Sequence, residues 1–262
     1  MSDWNLVSWN VNGIRAAWKK GFAEWLKEFN PTVIGLQETK IQAEQLTPEI
    51  TEIDGYNSYW SHPHTKKGYS GVAIYSQQTP EAIIEGFNMD EHAPFNTEGR
   101  IIRVEFPDFT FFTIYFPNGQ RGDDRLEYKL GFYDAFLDVV DKLVAEGQQV
   151  VFCGDVNTAH RAIDLARPKE NEKISGFLPI ERAWIDKVVE RGYIDTFREL
   201  HPDETDRYSW WNVRTRARDR NVGWRIDYFF ISPGLRENLI SADIHSDVLG
   251  SDHCPVSITL RF

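Results

Sequence analysis

The chain has 262 residues, of which 41% are hydrophobic and 26% charged, with a formal net charge of −11. A chain of this length buries about 70–75% of the surface its unfolded form exposes, so it needs no disulfide or structural metal, and its two cysteines, Cys153 and Cys254, read as buried reduced thiols outside any C-x-x-C or zinc spacing. The acidic balance excludes indiscriminate adhesion to nucleic acid but permits a local basic site. No apolar run approaches the ~18 residues of a membrane span, and Met1–Asp3 leads directly into an apolar run with no signal or transit segment. The expectation is a cytoplasmic protein made of one domain, residues 1–262.

In chain order, Asn5–Trp9 reads as a strand that stops at Asn10. Phe22, Trp25, Leu26 and Phe29 recur at helical spacing over Gly21–Phe29, and Val33–Gln37 forms the next strand, ending at Glu38. Strands follow at Gly71–Tyr75, Ile101–Phe106 and Phe109–Phe116. A long helix carries Leu126, Leu130, Tyr133, Leu137, Val140 and Val144, with Gly147 closing it. Gln149–Cys153 is a strand ending at Gly154-Asp155. The run Arg167–Gly176 reads as a long polar loop, the kind that is usually functional. Ile180, Trp184 and Val188 begin a helix closed by Gly192, and strands at Ile226–Ser232 and Pro255–Phe262 complete the chain. Strands that follow one another directly favour stacked sheets with outer helices over one doubly wound sheet.

The strands share a termination: an apolar run, then a residue able to do chemistry. Asn10 and Asn12 end the first, Glu38 the second, Tyr115 and Asn118 a third, Asp155 and Asn157 a fourth. Asp227 opens a strand, and Asp252 and His253 precede the last one. Stacked strands bring their ends to one rim, and a rim of carboxylates, amides, a phenol and an imidazole suits hydrolysis. Phosphodiester hydrolysis fits these types best. Glu38 suits Mg²⁺, which prefers few carboxylates and keeps most of its water. Asp155 is the candidate to take a proton from the attacking water, with Asn157 fixing geometry. His253, its tautomer set by Asp227, can serve as donor to a phosphoryl oxygen or as base. Between Arg207 and Arg225 six arginines interleave with Trp210, Trp211 and Trp224 against a lone Asp219, either a basic aromatic strip for DNA or a solvated helix with some core tryptophan. His62 and His64 read as surface loop residues, and His160 as a brace for the Asp155–Asn157 loop.

The segments SWNVNGIRA, LQETK, KKGYSGVAIYS, TEGRI, YFPNGQRG, RLEYK, CGDVNTAHRAIDLARPKEN, SGFLPIERAWIDK, GYIDTFR, SWWNVRTRARDRNVGWRIDYFF and GSDHCPV together resemble the exonuclease III family of abasic-site (AP) endonucleases over the whole chain. The resemblance implies a four-layer α-β-β-α sandwich of the DNase I-like kind, two packed mixed β-sheets flanked by helices. It implies a Mg²⁺-dependent (Mn²⁺ substituting), monomeric enzyme acting on double-stranded DNA that contains abasic sites. Glu38 is then the main metal ligand, with Asn10 and Asp252 nearby. Asp155, Asn157, His253, Asp227 and Tyr115 are catalytic, and Asn12, Arg15, Lys40, Tyr69, Asn118, Arg121 and Asn171 contact DNA. Trp210, Trp224 and Ile226 wall a small pocket that a base-less sugar enters more cheaply than an intact nucleotide.

Two positions depart from many relatives: Asn12 stands where some carry Asp, which weakens a second metal ligand there, and Ile174 stands where many carry Asn. Rival readings are another enzyme on the same sandwich, such as a non-specific DNase, an inositol-phosphate phosphatase or a sphingomyelinase, and a DNA-binding regulator with a dead site. The first lacks a source for the tryptophan–arginine run; the second would call for loss of Glu38, Asp155 or His253, all of which are present.

Overall fold

A computed structural model describes residues 2–64 and 66–262. The regular elements in chain order are β1 (Asp3–Asn10), α1 (Ile14–Trp18), α2 (Phe22–Phe29), β2 (Val33–Gln37), α3 (Pro48–Thr51), β3 (Asn57–Ser61), β4 (Val72–Ser76), β5 (Ala82–Glu85), β6 (Ile101–Glu105), β7 (Thr110–Tyr115), α4 (Asp123–Ala145) and β8 (Val150–Asp155). They continue with α5 (Pro168–Asn171), α6 (Pro179–Glu190), β9 (Ile194–Asp195), α7 (Thr196–Leu200), β10 (Trp210–Trp211), β11 (Gly223–Trp224), β12 (Asp227–Ile231), β13 (Leu239–Ile244) and β14 (Val256–Arg261).

Two six-stranded sheets result, ordered β13-β14-β1-β2-β4-β3 and β5-β6-β7-β8-β12-β9, with β10-β11 as a separate ribbon. Both are mixed: β1 runs parallel to β2 and β7 to β8, while the other pairings are antiparallel. Their inner faces meet through Leu6, Val33, Ile74, Val104, Phe111, Val151, Phe229 and Ile258, all buried. On the outer face of the second sheet, Phe132, Phe136 and Val140 of α4 and Trp184, Ile185 and Val188 of α6 cover Phe112, Phe152 and Phe230. On the outer face of the first, Phe22 and Leu26 of α2 and Ile14 of α1 cover Val7, Ile34 and Tyr75. Each fully buried Phe, Leu or Ile contributes roughly 1.5–3 kcal/mol of transfer free energy. The three apolar layers thus separate four layers of structure, as the expected sandwich requires.

The long apolar runs lie where the sequence places them, within a residue or two. Six strands escape it: β3, β5, β9, β10, β11 and β13. β3, β5 and β13 are edge strands, half-buried and short, so their alternation is weak. The run of arginines forms no single helix: it turns from β10 through two 3-10 segments to β11. The polar loop 167–176 contains α5. Among the described residues, no helix is long and apolar enough to cross a membrane.

Candidate active site

In the second sheet, Tyr115 of β7 pairs in register with Asp155 of β8, and Asp155 with Asp227 of β12. Asp155 is therefore the last residue of its strand rather than a residue beyond it. Because side chains alternate with a period of two, these three continue the faces of Phe111–Thr113, Val151–Cys153 and Phe229–Ile231, which pack against the first sheet. One inward face thus changes at the rim from apolar to ionisable. Gly154 has φ +143, and a Cβ there would stand 1.8 Å from the Ile114 carbonyl oxygen, so only glycine lets β7 and β8 close at this rung.

The first sheet contributes the facing groups. Asn10, at the end of β1, donates from Nδ2 to Glu38 Oε1 (3.1 Å) and to Asp155 Oδ2 (2.9 Å), while its Oδ1 accepts the Asn12 amide (3.0 Å). Its N–H group, not its oxygen, therefore meets both carboxylates: it joins the two sheets and orients the acids, and presents no oxygen ligand in this arrangement. Glu38 also holds the Lys40 ammonium at 2.8 Å. Burial alone would raise its carboxyl, but Lys40, Tyr115 and Asn10 together hold it below the ordinary value. Asn12, Glu38, Lys40 and Asn157 all have positive φ, between 46° and 56°. Such backbone costs of order 1–3 kcal/mol per residue and gathers at functional sites.

His253 presents Nδ1 to Asp227 Oδ2 at 2.8 Å, and its Nε2 lies 3.8 Å from Asp155 Oδ2. All three side chains are buried. Burial favours the neutral ring, yet Asp227 and Asp155 outweigh it and raise His253 above its ordinary value. Burial, with the charges of Asp227 and Glu38, raises Asp155, against the pull of His253. Burial, then Glu38, pushes the Tyr115 phenol well above its ordinary range despite Arg100, so it remains a donor. Asp252 accepts from Asn12 Nδ2 (2.8 Å) and Trp210 Nε1 (3.1 Å). Burial would raise its carboxyl, but His253 and these bonds lower it.

Asn157 donates from Nδ2 to Asp155 Oδ2 (3.3 Å) and to the Phe116 carbonyl (3.0 Å), and accepts from Asn118 Nδ2 (2.9 Å). Trp210 and Trp224 stand 6.3 Å apart, edge to face, over a cluster of Ala159, Leu165, Phe177 and Ile226. Trp210 also lies 6.4 Å from the His253 ring, so this apolar cluster adjoins the acids.

Other expected contacts divide. Arg15 and Arg121 are exposed. The Tyr69 hydroxyl accepts from Arg100 and Arg125, each at 2.8 Å. The Asn171 amide is turned back onto the carbonyls of Ala166 and Arg167, so both its donors serve its own loop. Arg225 is buried against Asp164 and Asp195, and Arg218 donates to the carbonyls of Ser246, Val248 and Ser251; neither faces a ligand. Arg214, Arg216 and Arg220 are exposed. His64 is exposed, but His62 is half-buried and bonded to the Ile41 carbonyl (2.8 Å). His160 links the loop after β8 to Asp186 (2.8 Å) and receives Arg182 on its carbonyl.

Residue-by-residue reading misses Ser209 and Arg100. Ser209 Oγ donates to Asp227 Oδ2 at 2.6 Å and accepts the amides of Ile226 and Asp227. Arg100 lies 4.6 Å over the Tyr115 ring and donates to its carbonyl. A serine in an aromatic run and an arginine before a strand give no signal of their own.

A hard divalent cation fits this donor set. Its groups are carboxylates and amide oxygens, and Glu38 Oε2 and Asn12 Oδ1 already hold the Lys40 ammonium between them, a cation where a metal would be attracted. Asp155, Asp227 and His253 also offer one ligand atom each within 4.8 Å of one another, a second buried group able to bind a metal ion.

Residues 7–253 match the endonuclease/exonuclease/phosphatase family. The chain is 45% identical to the exodeoxyribonuclease of Bacillus subtilis over 98% of its length and 99% of that protein's. It is 40% identical to the DNA repair nuclease APEX1 of Danio rerio over 99% of its length and 83% of that protein's. A solved AP endonuclease from Archaeoglobus fulgidus superposes with a TM-score of 0.87 at 28% identity, over 99% of this chain and 100% of the other. The chain belongs to the endonuclease/exonuclease/phosphatase family and is a hydrolase of its exonuclease III-like, AP endonuclease branch.

Proposed function

We propose that the chain is a Mg²⁺-dependent DNA-repair endonuclease that hydrolyses the phosphodiester 5′ to an abasic site and leaves a 3′-hydroxyl, with 3′→5′ exonuclease and 3′-end-cleaning as side activities. Residues 1–262 act as one domain, as a monomer, in the cytoplasm. The observation that carries this reading is His253 Nε2, 3.8 Å from Asp155 Oδ2. That gap is too long for a hydrogen bond, so the N–H is uncommitted, beside a buried carboxylate and the Trp210–Trp224 pair.

Asp155 takes the proton of the attacking water, since burial makes its carboxylate more basic than an exposed one. Asn157 Nδ2 fixes that carboxylate and adds no charge. His253, held charged by Asp227, donates to a phosphoryl oxygen as negative charge develops there. Tyr115 supplies a second donor. Glu38 would hold the Mg²⁺ ion, with Asp252 and, were its amide to present oxygen, Asn10 as further ligands. When bound, such an ion would neutralise charge on the phosphoryl oxygens. Lys40, Arg15, Tyr69, Asn118, Arg121 and Asn171 lie along the DNA backbone, with Asn12 beside them. The cluster of Trp210, Trp224 and Ile226 receives the base-less sugar. The names of the relatives, an exodeoxyribonuclease and a DNA repair nuclease, agree with this assignment.

A duplex with one tetrahydrofuran abasic analogue, incubated beside an intact duplex with Mg²⁺ or EDTA, tests it. One nick at the analogue, abolished by EDTA, is expected. Binding without cleavage under any divalent cation points instead to a DNA-binding regulator.

A further inference from the structure

Lys129 of α4 and Glu181 of α6 form an ion pair at 2.6 Å whose side chains are both 0% exposed, and the chemistry above does not use it. Every polar site on the pair is occupied. Lys129 Nζ also donates to the Asn157 carbonyl (2.8 Å) and to Thr158 Oγ1 (2.9 Å). Glu181 Oε1 also accepts Ser175 Oγ (2.7 Å), and its Oε2 accepts the amides of Gly176 (2.6 Å) and Leu178 (3.1 Å). Two helices on the back of the sheet thereby grip two loops at its rim.

Stability alone is a poor reason for this pair, because apolar residues of similar volume often replace a buried ion pair with no loss of stability. What the pair grips is more informative. Asn157 sits at φ +56, a left-handed conformation that Asn adopts more readily than most residues, and Lys129 holds its carbonyl. Gly176 has φ +101, and a Cβ there would stand 3.2 Å from Trp224 Cζ3 and 3.3 Å from the Asn157 oxygen. The Ala159 amide in turn donates to the Gly176 carbonyl (2.8 Å). One side of the junction sets the amide beside Asp155, and the other abuts the tryptophan wall.

We propose that Lys129 and Glu181 are positioning residues that clamp the Asn157–Thr158 and Ser175–Leu178 turns together, fixing Asn157 against Asp155 and setting the depth of the pocket at Trp224. This rests on the roles given above to Asn157 and Trp224. It needs no contact between the pair and DNA.

The test replaces the pair by apolar residues, Lys129→Met with Glu181→Leu, and reads melting temperature, kcat, KM and hydrogen exchange by mass spectrometry. The expected result is a fold with a melting temperature within a few degrees of the parent, kcat reduced at least tenfold on the abasic duplex and KM changed less than threefold. Faster amide exchange is expected in peptides covering 155–160 and 174–178, with the remainder unchanged. If the double variant does not fold, Glu181→Gln replaces it: the amide keeps the shape but sets N–H against either the Lys129 ammonium or the Gly176 and Leu178 amides, and the same pattern is expected. A folded variant with kcat within twofold of the parent, or with unchanged exchange in both segments, overturns the proposal. The parent's behaviour separates the two hypotheses. A parent that does not nick the abasic duplex contradicts the abasic-site reading, while the exchange comparison still decides the clamp.

Discussion

His253 hands one ring nitrogen to Asp227 at 2.8 Å and keeps the other 3.8 Å from Asp155, so one imidazole stands between two buried carboxylates. Each acid makes the ring more basic, and the ring in turn opposes the rise that burial imposes on Asp155. Asp155 and His253 therefore titrate as a coupled pair whose balance is set by that spacing.

Asp227→Asn removes the larger of the two pulls on the ring. The His253 resonance, protonated through neutral pH up to about 10 in the parent, should then titrate at lower pH. The alkaline fall in kcat should move down with it, and kcat at neutral pH should drop about 100-fold, the usual scale for a misplaced acid or base. NMR titration of the ring with a pH–rate profile checks both. An unmoved resonance would contradict the assigned pairing.

Glu38→Ala should weaken Mg²⁺ binding at least tenfold, read by isothermal titration calorimetry on the protein without DNA. Asp155→Asn should weaken it less. The reverse order would place the ion in the Asp155, Asp227 and His253 group, which offers a rival set of ligands.

Trp224→Ala should change selectivity more than chemistry. Without that wall an intact nucleotide is excluded less, so the ratio of kcat/KM for abasic over intact duplex should narrow roughly tenfold. Cleavage at exposed 3′ ends should change far less. Parallel assays on the three substrates decide it, and an unchanged ratio removes the pocket from the explanation of specificity.

Asp164 binds Arg225 and Arg198 beneath the same wall. Burial alone would raise its carboxyl, yet the two arginines hold it at about 2. A depressed carboxylate stabilises the fold at pH above its unfolded value, near 4, and that contribution is lost as pH falls through the folded value. Asp164→Asn should therefore cost about 2–3 kcal/mol at pH 7 and at pH 5, and roughly half as much at pH 3. Urea unfolding at the three pH values measures it.

Much of this site is legible in the chain because the sheets make it so. Apolar runs that end in Asn10, Glu38, Tyr115 and Asp155 announce a polar rim. Asp155 and Asp227 face the same way because they share a rung. What escapes is whatever depends on contacts distant in sequence. Lys129 and Glu181 are charged residues in helices and would be placed in solvent, but both are buried because each meets the other across two helices. Arg225 looks like part of a DNA-facing strip until Asp164 and Asp195 close on it. Asn10 offers oxygen or nitrogen with equal ease, and only the Asn12 amide behind it decides which faces the acids.

The most direct measurement is the mass of the products of a duplex carrying one abasic analogue, cleaved in ¹⁸O-labelled water. Hydrolysis 5′ to the lesion by a water that Asp155 activates gives one fragment ending in an unlabelled 3′-hydroxyl. The other carries a 5′-phosphate with a single ¹⁸O, and Asp155→Asn should lower the yield at least 100-fold. A 3′-phosphate, or cleavage with no label in either product, would contradict the proposed reaction.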